Sequence, residues 1–251
     1  MTNHIVTSIN DAILQIQINR PEKKNALTAP MYAAMAQALT QADSDPAVRV
    51  VTVTGSADSF TSGNDVADFL ANNAAVSEDL PVGAFLTSIA SLKKPLIAGV
   101  NGMAIGIGVT MLLHCDLVYA VDAATFQMPF TNLGVVPEAA SSQLLPQMVG
   151  YHRAAELMLF GERIDARRAL EIGLVNRVCA GSELTEILRS RAAALAAKPL
   201  SSILATKALL RREPESTLAR ISFENAEFTR LLQTPEARAI MQAFLERRKA
   251  S

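Results

Sequence analysis

Glu138 stands in the run Leu133-Gly134-Val135-Val136-Pro137-Glu138-Ala139-Ala140-Ser141-Ser142, where it is the only ionisable side chain. Two glycine-bearing segments precede it, Thr61-Ser62-Gly63-Asn64-Asp65 and Asn101-Gly102-Met103-Ala104-Ile105-Gly106-Ile107-Gly108. Both suit the presentation of bare backbone N–H groups to a ligand, because glycine bends easily and lets another atom approach the chain closely. A carboxylate near such donors has the chemistry to abstract a proton beside a carbonyl, since the donors stabilise the enolate oxygen that forms.

Each segment also has a plainer reading. Gly63 followed by Asn64 and Asp65 is what a strand-to-helix turn with an N-cap requires, and by itself that account is the simpler one. Gly106 and Gly108 flank Ile107 with no side chains. That suits a ligand oxygen approaching the Ile107 N–H, and it suits close helix–strand packing equally well. The spacing is not the GxGxxG of a dinucleotide loop. Glu138, one residue after Pro137, also fits a first-turn helix carboxylate facing the helix dipole.

Other polar residues offer less. His4, His114 and His152 have no spacing of a triad or a metal site, and His114 reads as a satisfied residue of an apolar helix. Asp65 and Asp68 read as helix caps, and Ser141-Ser142 as part of the helix after Glu138. Cys115 and Cys179 lack any CxxC or metal-ligand spacing, so two free thiols and no metal site are expected.

Length and composition bound the rest. The 251 residues are 50% hydrophobic and 19% charged, enough for one large core with or without a helical appendage. The net charge is −1, from 23 basic and 24 acidic residues, with no Trp. Nucleic acid is therefore not an expected partner. The N-terminus lacks a basic stretch followed by an apolar one, so no signal peptide is expected. Arg248-Lys249-Ala250-Ser251 is not a peroxisomal address, and the expected compartment is the cytoplasm. From Leu96 to Leu113 no residue is charged, long enough for a membrane span, but five of these positions are glycine or asparagine. A buried strand, a tight turn and a buried helix are expected instead, and no membrane.

The elements that must carry these residues are legible from periodicity. Ile5 to Ile9 and Ala12 to Ile18 predict a hairpin around Asn10-Asp11. A helix capped by Thr28 runs to about Asp43, and Val48 to Thr54 is a β-branched strand. Asn72 to Asp79 is a polar, mobile stretch. Pro95 to Val100 is a buried strand, turned by Asn101-Gly102 toward a helix starting near Gly106. Asp116 to Ala120, Thr125 to Gln127 and Leu174 to Val178 are short strands. Helices follow over Ser182 to Ala197, Pro199 to Arg212, Ser216 to Gln233 and Pro235 to Lys249. The organisation is an α/β core with parallel pairing over 1–197 and a helical C-terminal region over 198–251.

Several ordered motifs together resemble the crotonase (enoyl-CoA hydratase/isomerase) superfamily. They are Arg20-Pro21-Glu22-Lys23-Lys24-Asn25-Ala26-Leu27, Ser59 to Asp65, Lys94 to Gly102, Cys115-Asp116-Leu117-Val118-Tyr119-Ala120 and Gly173-Leu174-Val175, and they span essentially the whole chain. The resemblance implies a ββα spiral core followed by a helical trimerisation region, hence a homotrimer or a dimer of trimers. It implies an acyl-CoA thioester as substrate, with coenzyme A part of that substrate and no separate cofactor. By position, the N–H groups of Asn64 and Ile107 would grip the thioester oxygen. Asn25, Ala26 and Leu27 correspond to a CoA-contacting loop. Ser62, Gly63, Asp65, Gly106 and Phe130 complete the expected substrate-binding set. Lys207, Arg211 and Arg212 could meet CoA phosphates at a subunit boundary, although a solvated helix face is the preferred reading.

The same resemblance narrows the reaction. The family's hydratases use two glutamates to position water, and those positions here correspond to Thr110 and Phe130. Neither is a carboxylate, so two-glutamate hydration is not expected. The placement of Glu138, with Ser62-Gly63-Asn64-Asp65, is similar to the Δ3,Δ2-enoyl-CoA isomerase branch. The expectation is a single-glutamate double-bond shift, with Glu138 in an apolar pocket and its pKa raised. Alternatives are a hydratase-like reaction, isomerisation of a ring-derived acyl-CoA, a non-catalytic acyl-CoA binder, or a crotonase-like protein recruited to RNA.

Overall fold

In the computed structural model, which describes residues 4–71 and 80–250, the chain opens with a hairpin. Asp11 and Ala12 adopt positive φ (51° and 62°), a backbone hand that matches the twist of paired antiparallel strands. They join β1 (Ile5–Asn10) to β2 (Ile13–Ile18). Helix α1 (Ala29–Ser44) follows, with Thr28 at its N-cap but no side-chain cap bond. Next come β3 (Val50–Gly55), β4 (Ser59–Thr61) and α2 (Val66–Ala71). The stretch from Asn72 to Asp79 lies outside the described residues.

The chain continues through α3 (Pro81–Ser91), β5 (Leu96–Val100), β6 (Met103–Ile105) and α4 (Ile107–Thr110). A 3-10 turn over Met111–His114 extends α4. Then come β7 (Leu117–Val121), β8 (Thr125–Gln127), α5 (Ser141–Val149), α6 (Tyr151–Phe160) and β9 (Ile164–Asp165). The core closes with α7 (Ala166–Glu171), β10 (Arg177–Cys179) and α8 (Leu184–Ala196).

Two sheets result. The larger has the order β1-β2-β3-β5-β7-β10 and the smaller β4-β6-β8-β9. All pairs are parallel except the β1–β2 hairpin and the β8–β9 pair. Three times in succession a strand of the large sheet is followed by one of the small sheet: β3 to β4, β5 to β6 and β7 to β8. This is the expected spiral of strand–strand–helix turns. β5 is buried at every residue and β3 at every residue but Thr54. Parallel strands covered on both faces need such near-continuous apolar sequence. Asn101 closes one corner of the spiral: its Oδ1 accepts from the Gly55 N–H at 3.0 Å and its Nδ2 donates to the Ala57 carbonyl at 2.9 Å.

Several boundaries differ from the sequence reading. The turn at Asn101-Gly102 leads first into β6, and the helix after Gly106 keeps only one α-turn before tightening to 3-10. Leu174 and Val175 are buried but not in a strand, because both N–H groups donate to the Ala169 carbonyl and wrap the end of α7. The strand begins at Arg177 instead. Among the described residues, no single helix is long and apolar enough to cross a membrane.

The chain divides into two compact units, Met1–Leu195 and Ala196–Ser251. The second contains α9 (Leu200–Leu210), α10 (Thr217–Leu232) and α11 (Pro235–Ala250). Within it, Glu215 sits between Arg212 at 2.8 Å and Arg220 at 2.6 Å, and these bonds hold its carboxyl down to about 2. Arg212 also lies over the Phe223 ring, 3.6 Å from its centre. Lys207 is buried, which corrects its reading as part of a solvated face.

Candidate active site

The site gathers at the C-terminal ends of the small sheet's parallel strands. Because β4 pairs in parallel with β6, and β6 with β8, the chain leaves all three on the same side. Ser62-Gly63-Asn64 leaves β4, Gly106-Ile107 leaves β6, and Met128-Pro129-Phe130 leaves β8. The first two segments touch: a Cβ on Gly63 would lie 3.0 Å from the Ile105 carbonyl oxygen.

The two glycines around Ile107 have different tasks. A Cβ on Gly108 would stand 2.6 Å from the Thr61 methyl, so this glycine serves helix–strand packing. At Gly106 a Cβ would meet nothing within 4 Å, and the residue is needed for its positive φ of 57°. Its N–H donates to Gln127 (2.9 Å), and its carbonyl accepts from Val109 (2.9 Å) and Thr110 (3.1 Å). In a trans peptide the N–H and C=O point in opposite directions. Anchoring the Gly106 carbonyl inside α4 therefore aims the Ile107 N–H out of the helix, where no intrahelical acceptor exists.

The same logic applies at Asn64. The Gly63 carbonyl, in the same peptide plane, accepts from Leu27 N–H at 2.8 Å. The Asp65 N–H donates back to the Leu27 carbonyl at 2.8 Å. The Asn64 N–H between them is turned away from Leu27 and makes no bond among the described residues.

The 20–27 segment is the scaffold for that turn. Asn25 is fully buried; its Oδ1 accepts from the Arg20 N–H and Ser56 Oγ, and its Nδ2 donates to the Ser56 and Ser59 carbonyls. The N–H groups of Asn25, Ala26 and Leu27 are all engaged within the chain. Through these bonds the segment holds Gly63 and Asn64 in place. Asp65 is likewise structural. Its Oδ2 takes the Arg20 guanidinium at 2.8 Å, and its Oδ1 caps α2 through the Ala67 and Asp68 N–H groups. The Arg20 hydrogen bond, then that of Asp68, holds its carboxyl below the usual value. Ser62 ties back to Lys24, its N–H donating to that carbonyl at 3.0 Å.

Glu138 lies outside any helix. It precedes Ala139 and Ala140, whose φ values of 57° and 54° force a left-handed step before α5 begins at Ser141. The first-turn helix reading is thereby corrected. Its main-chain carbonyl accepts from the Ser141 N–H at 3.0 Å and Ser141 Oγ at 2.6 Å. The next carbonyl, of Ala139, is bonded to His114 Nε2 at 2.9 Å, which requires the proton on Nε2. His114 is thus the satisfied core residue expected, and it fixes the Glu138 loop.

Although the Glu138 residue as a whole is only half-buried, its carboxylate end is enclosed. Thr110 Oγ donates to Oε1 at 2.5 Å, while Oε2 is closed off from solvent and has no hydrogen-bond partner among the described residues. Burial pushes the carboxyl above its ordinary value, and the Thr110 bond opposes that rise. Phe130 is buried and supplies only apolar surface.

Two members of this constellation escaped the sequence reading. Thr110 was informative there only as a missing carboxylate. Tyr32, buried on α1, donates its hydroxyl to Asn64 Oδ1. A tyrosine on the buried Met31-Tyr32-Met35-Leu39 face needs a partner for its hydroxyl, and that was the available signal. A separate cleft, lined by Arg153, Glu156, Leu157, Glu162, Ile164, Arg168 and Ile172, touches none of these residues.

The ββα spiral, with its strands alternating between the two parallel sheets, is the crotonase fold. The sequence model of the enoyl-CoA hydratase/isomerase family matches residues 8–251, and the chain belongs to that family. It is similar to enoyl-CoA delta isomerase 2 of Rattus norvegicus, 38% identical over 225 residues, which cover 88% of this chain and 57% of the rat protein. The chain thus spans little more than half of that relative's length. It is also similar to crotonyl-CoA hydratase of Syntrophomonas wolfei, 33% identical, covering 99% of this chain and 97% of that one. Among solved structures, a Magnetospirillum magneticum protein named as an enoyl-CoA hydratase/carnithine racemase superposes with a TM-score of 0.94 at 39% identity, covering 98% and 97% of the two chains.

Proposed function

We propose that the chain shifts the double bond of a 3-enoyl-CoA into the conjugated 2-trans position, with Glu138 as the single proton carrier. The observation that carries this reading is the buried, unpartnered Oε2 opposite an Oε1 already held by Thr110. Oε2 removes a proton from C2. The C2–H electron pair forms the C1=C2 bond of a dienolate, and the carbonyl pair moves onto the thioester oxygen, which the Asn64 and Ile107 N–H groups stabilise. The carboxylic acid so formed returns the proton to C4. The electrons then close the C2=C3 bond and restore the carbonyl. Glu138 ends as it began, so the reaction balances without a cofactor beyond the CoA of the substrate.

The raised pKa of Glu138 suits a group that is base in one step and acid in the next. Hydration, the reaction in the name of the S. wolfei relative, asks for a second acid–base group, and Thr110 and Phe130 offer none. We also propose that the chain works as a homotrimer or dimer of trimers. Leu218 and Phe228 of α10, 77% and 66% exposed, give that unit the apolar surface an interface uses. Sedimentation should return three or six times the chain mass.

The test follows conversion of 3-hexenoyl-CoA by ultraviolet absorbance of the conjugated product, beside hydration of crotonyl-CoA. Glu138→Gln should lower the isomerisation rate roughly 100- to 10,000-fold while the protein still folds. Full isomerisation by that variant, or hydration outpacing isomerisation in the unaltered protein, overturns the proposal.

A further inference from the structure

We infer that Tyr32 is a positioning residue: its hydroxyl clamps the Asn64 side chain and thereby fixes the turn that presents the Asn64 N–H to the substrate. This rests on the role proposed above for that N–H. Tyr32 is 1% exposed, and its ring packs on Phe85 of α3 with centroids 5.4 Å apart. The ring is therefore held from behind by the helix layer, and only the hydroxyl reaches the site, where it donates to Asn64 Oδ1.

Asn64 needs that third anchor. Leu27 fixes the peptide groups on either side of it, through the Gly63 carbonyl and the Asp65 N–H. Neither bond restrains the Asn64 side chain, and Gly63, at φ +92°, is a natural pivot just before it. The Tyr32 clamp closes this freedom at the residue that carries the donor.

Tyr32 is not itself an acid or base here. Burial, and secondarily the charge of nearby Glu138, push its hydroxyl well above the ordinary tyrosine value, so it remains a protonated donor. Its influence therefore passes to the substrate through Asn64.

Tyr32→Phe keeps the ring against Phe85 and removes only the hydroxyl. The first readout is the infrared band of hexanoyl-CoA labelled with carbon-13 at the thioester carbonyl, bound to the full-length protein, which reports hydrogen bonding to that oxygen without turnover. In the unaltered protein the band should sit below its position in water. It should relax partway back in Tyr32→Phe and in Asn64→Ala, and no further in the double variant. In 3-hexenoyl-CoA turnover, kcat should fall about 10- to 100-fold in Tyr32→Phe, as a misplaced rather than deleted donor would give. KM should stay within about twofold, and the acidic limb of the pH–rate profile should not move.

An unmoved band with full kcat in Tyr32→Phe overturns the inference, as do additive losses in the double variant. A shifted acidic limb also overturns it, because Tyr32 would then be acting on Glu138. If Tyr32→Phe fails to fold, Asn64→Ala alone decides: it removes the clamped group, and an unmoved band with full kcat in it counts against the inference. An unaltered protein that polarises the carbonyl but does not isomerise defeats the proposed reaction, and the infrared comparison still decides the role of Tyr32.

Discussion

The Thr110 hydroxyl donates to Glu138 Oε1 across 2.5 Å, while the Thr110 N–H donates to the Gly106 carbonyl at 3.1 Å. One residue therefore ties the carboxylate to the peptide that aims the Ile107 N–H. The Thr110 hydroxyl thus holds the Glu138 carboxylate in one orientation.

Thr110→Val tests that relationship. Valine fills the same space without the hydroxyl, so Oε1 becomes a second buried oxygen without a partner. The Thr110 bond lowers the Glu138 pKa, and removing it lets burial raise that pKa further. The base must be ionised to act, so activity is present above its pKa and lost as pH falls through it. The acidic limb of the pH–rate profile should move to higher pH in the variant. The maximal rate should fall roughly 10-fold, the scale of a lost bond to a charged group. An unmoved limb would mean that the bond does not tune the base.

Glu138 should also weaken the fold at neutral pH. A carboxyl whose folded pKa is raised contributes stability that is complete below its unfolded pKa and lost as pH rises through the folded one. Glu138→Gln should therefore be more stable than the unaltered protein at pH 8, with the difference shrinking toward pH 4 as the glutamate protonates in both states. Paired thermal melts across that range measure it. A gap that stays constant with pH would show that the carboxyl is not strained by burial.

The sequence made the spiral legible because its signals are local and repeated. Val50 to Thr54 and Leu96 to Val100 have the apolar runs of buried parallel strands, and Asn101-Gly102 marks a corner. β6 was not legible: its three residues, Met103 to Ile105, gain strand character only from pairing with β4 and β8. Glu138, Asn64 and Ile107 were candidates through the family resemblance, with glycine-bearing turns as the local cue for the last two. Thr110 and Tyr32 could not be named in this way, since each acts through a contact made across tens of residues, 28 for Thr110–Glu138 and 32 for Tyr32–Asn64. The supporting role of Asn25 was illegible for a related reason. Its position suggested contact with a ligand, while its burial and four side-chain bonds, invisible in one dimension, make it a support.

That support role carries a stability prediction. Asn25→Ala removes the side-chain partner of the Arg20 N–H and the shorter of the two side-chain amide bonds to each of the Ser56 and Ser59 carbonyls, which Asn101 Nδ2 also reaches, in a buried corner. Unfolding in urea should show a loss of about 2–4 kcal/mol with an unchanged slope. The variant's acyl-CoA affinity and turnover should fall together, because the Leu27–Asn64 bridge depends on the same corner. A variant of full stability with weakened binding would restore Asn25 as a contact residue.

The central claim is that one enclosed carboxylate oxygen carries a proton from C2 to C4. The most direct measurement is a single turnover of 3-hexenoyl-CoA deuterated at C2, with the product's label located by NMR. A carrier shut off from water should deliver a clear fraction of deuterium to C4, and Glu138→Gln should form no labelled product on that timescale. Conjugated product carrying only solvent protons at C4, formed equally well by Glu138→Gln, would contradict the account.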